Sequence, residues 1–166
     1  ISISSDNKHL AFFTKDPNGY LLRIVDLESG KVTYPIKPIQ FINTFSYASY
    51  YKHRRPDIPI IWLDSQTVAF IRTEVSKDKT VQIESDFPGE IKELPAAEHI
   101  FSVVNINTGK IEDITKLPGN PNSYIGPKLM QDNIEPGPLV YIEQDSLGAF
   151  RIDLKKRTTK PKETAP

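Results

Sequence analysis

Short apolar runs alternate with turn signals along this chain, and the runs come in pairs. Residues 8–14 and 20–27 are rich in β-branched and aromatic side chains. Between them stands Asp16-Pro17-Asn18-Gly19, a turn signal in which Asn and Gly tolerate positive φ, so the two runs read as a hairpin. Glu28-Ser29-Gly30-Lys31 is a second tight turn and leads into a short strand at 31–35. The order then returns. Trp62-Leu63-Asp64-Ser65-Gln66-Thr67-Val68-Ala69-Phe70-Ile71 is followed by Ile100-Phe101-Ser102-Val103-Val104-Asn105 and the turn Ile106-Asn107-Thr108-Gly109-Lys110. A weaker third copy reads Leu139-Val140-Tyr141-Ile142-Glu143, then Ala149-Phe150-Arg151-Ile152-Asp153-Leu154, then Lys155-Lys156-Arg157. No stretch has convincing helical periodicity. The best short candidate, residues 89–97, carries Pro95, which interrupts a helix.

Recurring strand-turn-strand units predict a propeller or an array. The expected fold class is all-β: a partial β-propeller of about three antiparallel blades with two long insertions. The blades are expected at roughly residues 1–35, 59–115 and 124–157 of one domain spanning 1–157. Residues 158–166 read as a flexible tail or linker, because they are polar and proline-rich. The first insertion, 36–59, is bounded by Pro35, Pro38, Pro56 and Pro59 and is longer than an ordinary connection. The second, 75–98, is polar, with strand character at 80–84 and a turn at Asp86-Phe87-Pro88-Gly89. A proline- and glycine-rich loop is expected over 116–138, with a short strand near 128–131.

Composition narrows the class. The chain has 166 residues, 38% hydrophobic and 25% charged, which suits a globular domain with a real core. Its 21 basic and 21 acidic side chains balance, so no overall field steers it to nucleic acid or anionic lipid. No apolar run is long enough to span a membrane. Cysteine is absent, which removes disulfides, thiolate metal sites and cysteine nucleophiles. The chain begins at Ile1 inside the first repeat with no signal-peptide pattern, which suggests a cut or processed chain.

The repeats resemble a known family. Ser5-Asp6-Asn7-Lys8-His9-Leu10-Ala11-Phe12 is similar to the Ser-Pro-Asp-Gly-Lys-x-(Ile/Leu)-Ala-Phe signature of TolB-like, WD-like propeller repeats. Asp26-Leu27-Glu28-Ser29-Gly30-Lys31 and Asn105-Ile106-Asn107-Thr108-Gly109-Lys110 resemble the turn between the outer strands of such blades. Residues 111–120 resemble a segment closing one. The likeness covers residues 1–34, 59–74, 99–131 and 138–155. Asn7 replaces the usual glycine, a change that αL-tolerant Asn permits. Leu63-Asp64-Ser65 and Gln131-Asp132-Asn133 match only in part. Ala11-Phe12 and Ala69-Phe70 pair small and large residues, as neighbouring tapered sheets require. Propellers close with roughly four to eight blades, so three blades imply a piece of a larger ring, self-association that closes the open faces, or capping by the insertions.

The candidate chemistry is sparse. Tyr47, Tyr50, Tyr51, Lys52, His53, Arg54 and Arg55 form an aromatic and basic stretch of the kind that dominates partner-binding surfaces. The plainer alternative is an ordered loop whose tyrosines pack on the sheet while its charges stay solvated. His9, His53 and His99 show no metal-ligand spacing and read as structural. Asp6, Asp64 and Asp132 recur at equivalent positions and read as turn caps. Trp62 reads as core. There is no Gly-x-Ser-x-Gly elbow, phosphate loop, dinucleotide fingerprint or zinc spacing. Catalytic residues, cofactors and metals are therefore all expected to be none.

The expected function is a non-catalytic module that binds a protein or peptide, with no nucleic acid and no membrane insertion. Two alternatives stand beside it. One is the regulatory propeller of a prolyl-oligopeptidase-like serine peptidase whose catalytic domain is absent from this chain. The other is an extracytoplasmic sensor domain. The resemblance implies an extracytoplasmic location, in the periplasm or at the cell surface.

Overall fold

The computed structural model describes residues 1–39, 60–84, 89–119, 128–131, 137–144 and 146–161. Among them the fold is all-β, in three four-stranded antiparallel sheets, each a simple meander. Sheet 1 contains β1 (Ser2–Ile3), β2 (His9–Asp16), β3 (Gly19–Asp26) and β4 (Val32–Thr33). Sheet 2 contains β5 (Ile60–Trp62), β6 (Thr67–Glu84), β7 (Ile91–Asn105) and β8 (Ile111–Gly119). Sheet 3 contains β9 (Lys128–Gln131), β10 (Pro138–Gln144), β11 (Ser146–Asp153) and β12 (Thr158–Pro161).

Turn chemistry sets the register of all three sheets. The Asp26 carboxylate accepts the backbone N–H and the hydroxyl of Ser29, both at 2.7 Å. Gly30 closes the turn at φ +71° and donates to the Asp26 carbonyl. Asn105 does the same with Thr108, and Gly109 follows at φ +67°. Asp153 accepts the N–H groups of Lys155 and Lys156, and Arg157 takes the left-handed position at φ +57°. The left-handed residue stands four positions after the head each time (Asp26 and Gly30, Asn105 and Gly109, Asp153 and Arg157), so three different sequences build one turn. The third sheet lacks the glycine and places arginine there instead.

Alternation then divides each strand between two faces. Sheet 2 is buried on both. Trp62, Val68, Phe70 and Val104 pack against Ala11, Leu22 and Ile24 of sheet 1. Ala69, Ile71 and Phe101 pack against Val140 and Ile152 of sheet 3. This explains the unbroken apolar run over residues 68–71: a strand covered on both sides has no polar face. The small residue of each Ala-Phe pair shares a core cluster with the next sheet, Ala11 with Phe70 and Ala69 with Val140. The first strands are successive neighbours, β1 beside β5 and β5 beside β9.

Three expectations change. The polar stretch 75–98 is not an insertion between strands. It continues β6 to Glu84 and starts β7 at Ile91, so the hairpin extends well past the sheet. The register slips between Val75 and Thr80, opposite Pro95, whose missing N–H suits a break in the ladder. β8 likewise runs to Gly119, past the expected blade end at 115. Finally, Thr158–Pro161, read as the start of the tail, is β12 and pairs with β11. An outermost strand bonds on one side only, so polar residues and a terminal proline are tolerated there.

Candidate functional site

The partner-binding stretch expected from the sequence, Tyr47, Tyr50, Tyr51, Lys52, His53, Arg54 and Arg55, lies outside the described residues. Its flanking positions are described. Ile39 forms a two-bond bridge with Tyr20, each N–H donating to the other's carbonyl at 2.9 Å. Ile60 opens β5 opposite Phe70. Tyr20 follows the β2–β3 turn, and beyond Phe70 strand β6 runs on towards the β6–β7 turn. Both anchors therefore sit at the hairpin-turn end of their sheets, the end from which the long β6–β7 arm also projects.

At the opposite end, beside the first strands, lies a polar node. The Ser4 hydroxyl donates to Asp6 at 2.6 Å and accepts the backbone N–H of His9 at 2.9 Å. Asp6 also accepts the N–H of Lys8. The Ser4 bond, then the Lys8 bond, holds the Asp6 carboxyl below its ordinary value, so it stays ionised as a turn cap. Asn7 adopts φ +58°, the left-handed conformation that its glycine-like role requires. Asp64 caps the matching turn of sheet 2 through the N–H of Gln66. Asp132 lies outside the described residues.

The His9 ring sits 5.9 Å from the Trp62 ring, with Nε2 3.9 Å from the Asp26 carboxylate. Trp62 is 4% exposed and its Nε1 donates to the Ser2 carbonyl, tying the first strands of sheets 1 and 2 together. Ser4, His9 and Asp26 are a serine, a histidine and an acid, but the hydroxyl is engaged by Asp6 and by backbone. It meets the backbone N–H of His9, not the imidazole. The geometry builds a turn and fastens a wedge, with no base aimed at a nucleophile.

A second polar node, not evident in the sequence, joins sheets 2 and 3. Asp113 accepts Ser102 Oγ and Arg72 Nη2, both at 2.6 Å. An extra residue in β8, between Asp113 and Thr115, sets Asp113 opposite Ser102. From sheet 3, Arg157 donates to the Asp113 carbonyl at 3.0 Å and pairs with Glu112 at 2.7 Å. Arg72 and Arg157 lie 41 and 44 positions from Asp113 in sequence, so no local pattern announces them. His99, expected to be structural, is buried on β7, and burial lowers it to about 4, leaving it neutral. His53 lies outside the described residues. Among the described residues no three His, Cys, Asp or Glu side chains converge as a metal site would require, and no helix is long and apolar enough to cross a membrane.

Comparison with protein-family models, with curated proteins and with solved structures finds no match.

Proposed function

We propose that the chain is a three-blade portion of a TolB-like β-propeller and serves as a non-catalytic module that binds a protein or peptide. One observation carries the reading. Three four-stranded antiparallel meanders lie face to face, with their first strands side by side and the same capped turn before each last strand. Meanders radiating from a shared line of first strands are how propellers are built. A rigid scaffold of this kind presents its connections for recognition. The residues proposed to bind are Tyr47, Tyr50, Tyr51, Lys52, His53, Arg54 and Arg55, in the stretch of sequence between Ile39 and Ile60. Tyrosine and arginine supply large contact area and directed hydrogen bonds, which suits a protein or peptide ligand.

The test is peptide-display selection on two proteins in parallel: the intact chain, and a variant with residues 44–56 replaced by a short Gly-Ser linker. The expected result is a peptide consensus that binds the intact chain and not the variant, with unchanged β-sheet circular dichroism. Equal binding by both proteins, or no enriched consensus on either, would overturn the binding assignment. Unfolding of the variant would make the segment structural and equally overturn it.

A further inference from the structure

We infer that Asn18-Gly19 is a spontaneous modification site, where the asparagine closes to a cyclic imide and reopens as isoaspartate, and that this conversion releases the Tyr20–Ile39 bridge. The chemistry is independent of the propeller reading. Of the chain's asparagines, Asn18 alone is followed by glycine. The pair sits at the tip of the β2–β3 hairpin, where Asp16 and Gly19 form the last pair of the ladder. Pro17 and Asn18 are both exposed.

The turn itself demands the reactive pair. The Asn18 N–H donates to the Asp16 carboxylate at 3.0 Å, which fixes the start of the turn. Gly19 takes φ +136°, a conformation that side chains rarely adopt, so glycine is required there. Glycine has no Cβ to crowd its own backbone nitrogen. A bond from that nitrogen to Asn18 Cγ closes a five-membered ring. The end pair of a ladder opens at little free-energy cost, which frees the Gly19 nitrogen for attack. Among the described residues the other asparagines differ. Asn105 precedes branched Ile106, and its side-chain oxygen accepts the N–H groups of Asn107 and Thr108 at 3.0 Å each and the Thr108 hydroxyl at 3.3 Å. Asn107 precedes branched Thr108, and Asn7, itself left-handed, precedes Lys8.

The reaction balances with water alone. The Gly19 nitrogen attacks Asn18 Cγ, the N–Cγ bond forms, and the Cγ–Nδ2 bond breaks. The proton lost by the attacking nitrogen leaves with the ammonia. Water then adds to one imide carbonyl. Opening at Cγ gives aspartate. Opening at the Asn18 carbonyl carbon gives isoaspartate, with the main chain rerouted through Cβ and Cγ. One water is consumed, one ammonia leaves, and a neutral amide becomes a carboxylate, ionised at neutral pH.

Isoaspartate adds one atom to the backbone of a tight loop and places a new carboxylate near Asp16. The Asp16–Gly19 pair cannot then close in its present register. Tyr20 is the next residue, and both its backbone groups are committed to Ile39 at 2.9 Å each. Turning Tyr20 out of register breaks both bonds. Ile39 borders the stretch proposed above to bind, so on that reading conversion unfastens one flank of the binding segment.

The test ages the intact chain at mildly alkaline pH beside Asn18→Gln and Asn18→Asp variants. Peptide mapping by mass spectrometry, with isoaspartyl methyltransferase labelling, reads conversion at each asparagine. Conversion at Asn18 is expected to be at least about tenfold faster than at Asn105 or Asn107. It is expected to rise with pH, because the attacking nitrogen must lose its proton. Amide exchange is expected to show Tyr20 and Ile39 losing protection in step with the isoaspartate fraction. Both are expected to stay protected in Asn18→Gln, whose side chain closes only a less favoured six-membered ring. Both are expected to be protected in fresh Asn18→Asp, which carries the charge without the longer backbone. Conversion at Asn18 no faster than at Asn105 would overturn the site. Conversion with Tyr20 and Ile39 still protected, or lost protection in fresh Asn18→Asp, would overturn release of the bridge by backbone lengthening. If Asn18→Gln does not hold the bridge, the freshly prepared intact chain is the protected reference.

Discussion

Arg157 of sheet 3 reaches Glu112 of sheet 2 at 2.7 Å while occupying a left-handed turn position that the other two sheets give to glycine. The residue has two tasks that conflict locally. It spans two sheets, which glycine cannot do, and it holds φ at +57°, which glycine would do without strain. Both partners are half exposed, so the ion pair contributes at most about 1 kcal/mol.

Substitution separates these two tasks. Arg157→Ala loses the ion pair and keeps the strain, and is expected to destabilise by about 1 kcal/mol. Arg157→Gly loses the pair but releases about 1 kcal/mol of left-handed strain, leaving stability near that of the parent. Urea denaturation of the two variants checks the order. An alanine variant more stable than the glycine variant would refute it.

The turn glycines differ in their surroundings. Gly30, at φ +71°, has open space where a Cβ would stand, whereas a Cβ on Gly109 would collide with the Pro35 carbonyl oxygen. Gly30→Ala is expected to cost about 1 kcal/mol, from backbone strain alone. Gly109→Ala must also displace the Pro35 backbone, just past the end of β4, and is expected to cost clearly more. Thermal melts of the two variants give the comparison, and equal costs would show that the sheet 1–sheet 2 contact at Pro35 yields freely.

Phe70 and Phe12 occupy the same position in adjacent sheets but face different surroundings. Phe70 is fully buried and meets Phe13 edge-on at a centroid distance of 5.2 Å. Phe70→Ala is expected to cost about 3–5 kcal/mol. Phe12→Ala, on a face that neither core cluster of the described residues includes, is expected to cost no more than about half of that. Denaturation midpoints decide the matter, and equal losses would mean that the outer face of sheet 1 is already covered.

His99 predicts a pH dependence. It is neutral in the folded protein because burial lowers it from 6.5 to about 4. The unfolded chain binds its proton below about pH 6.5, while the folded chain does not until about pH 4. Stability is therefore full above pH 6.5 and falls as pH drops towards 4, by up to about 3 kcal/mol from this residue. His99→Gln is expected to flatten that part of the profile. Unchanged steepness in chemical denaturation between pH 7 and 4 would remove His99 as the cause.

Much of this was readable locally. Asp26 and Asn105 each stand before a hydrogen-bonding residue and a glycine at fixed offsets, and those offsets alone predict the capped turns and the strands they join. Asn7 at a glycine position was readable for the same reason, since its left-handed conformation is a property of the residue type. The third turn was harder to read, because Arg157 breaks the glycine rule. The continuation of β6 to Glu84 and the start of β7 at Ile91 were legible only in part: strand character at 80–84 and a turn at 86–89 could be read, but residues 76–79 are polar and hide the link between that strand and β6. Strand β12 was legible only in part: a last strand near 157–159 was one option beside the polar, proline-rich tail, and Thr158 and Lys160 owe their strand conformation to the ladder supplied by β11.

The amino-acid sequence by itself determined the local events: where the chain turns, which runs become strands, and that the middle strands are apolar on both faces. Those outcomes depend on φ preferences, short-range hydrogen bonds and alternation, all set within a few residues. Only the tertiary structure decided which faces meet. That Ala11 and Phe70 share one core cluster, that Ala69 and Val140 share another, and that Arg157 reaches Glu112 depend on register between sheets. Register is a collective property of packing, and residues dozens of positions apart must be in place together before it exists.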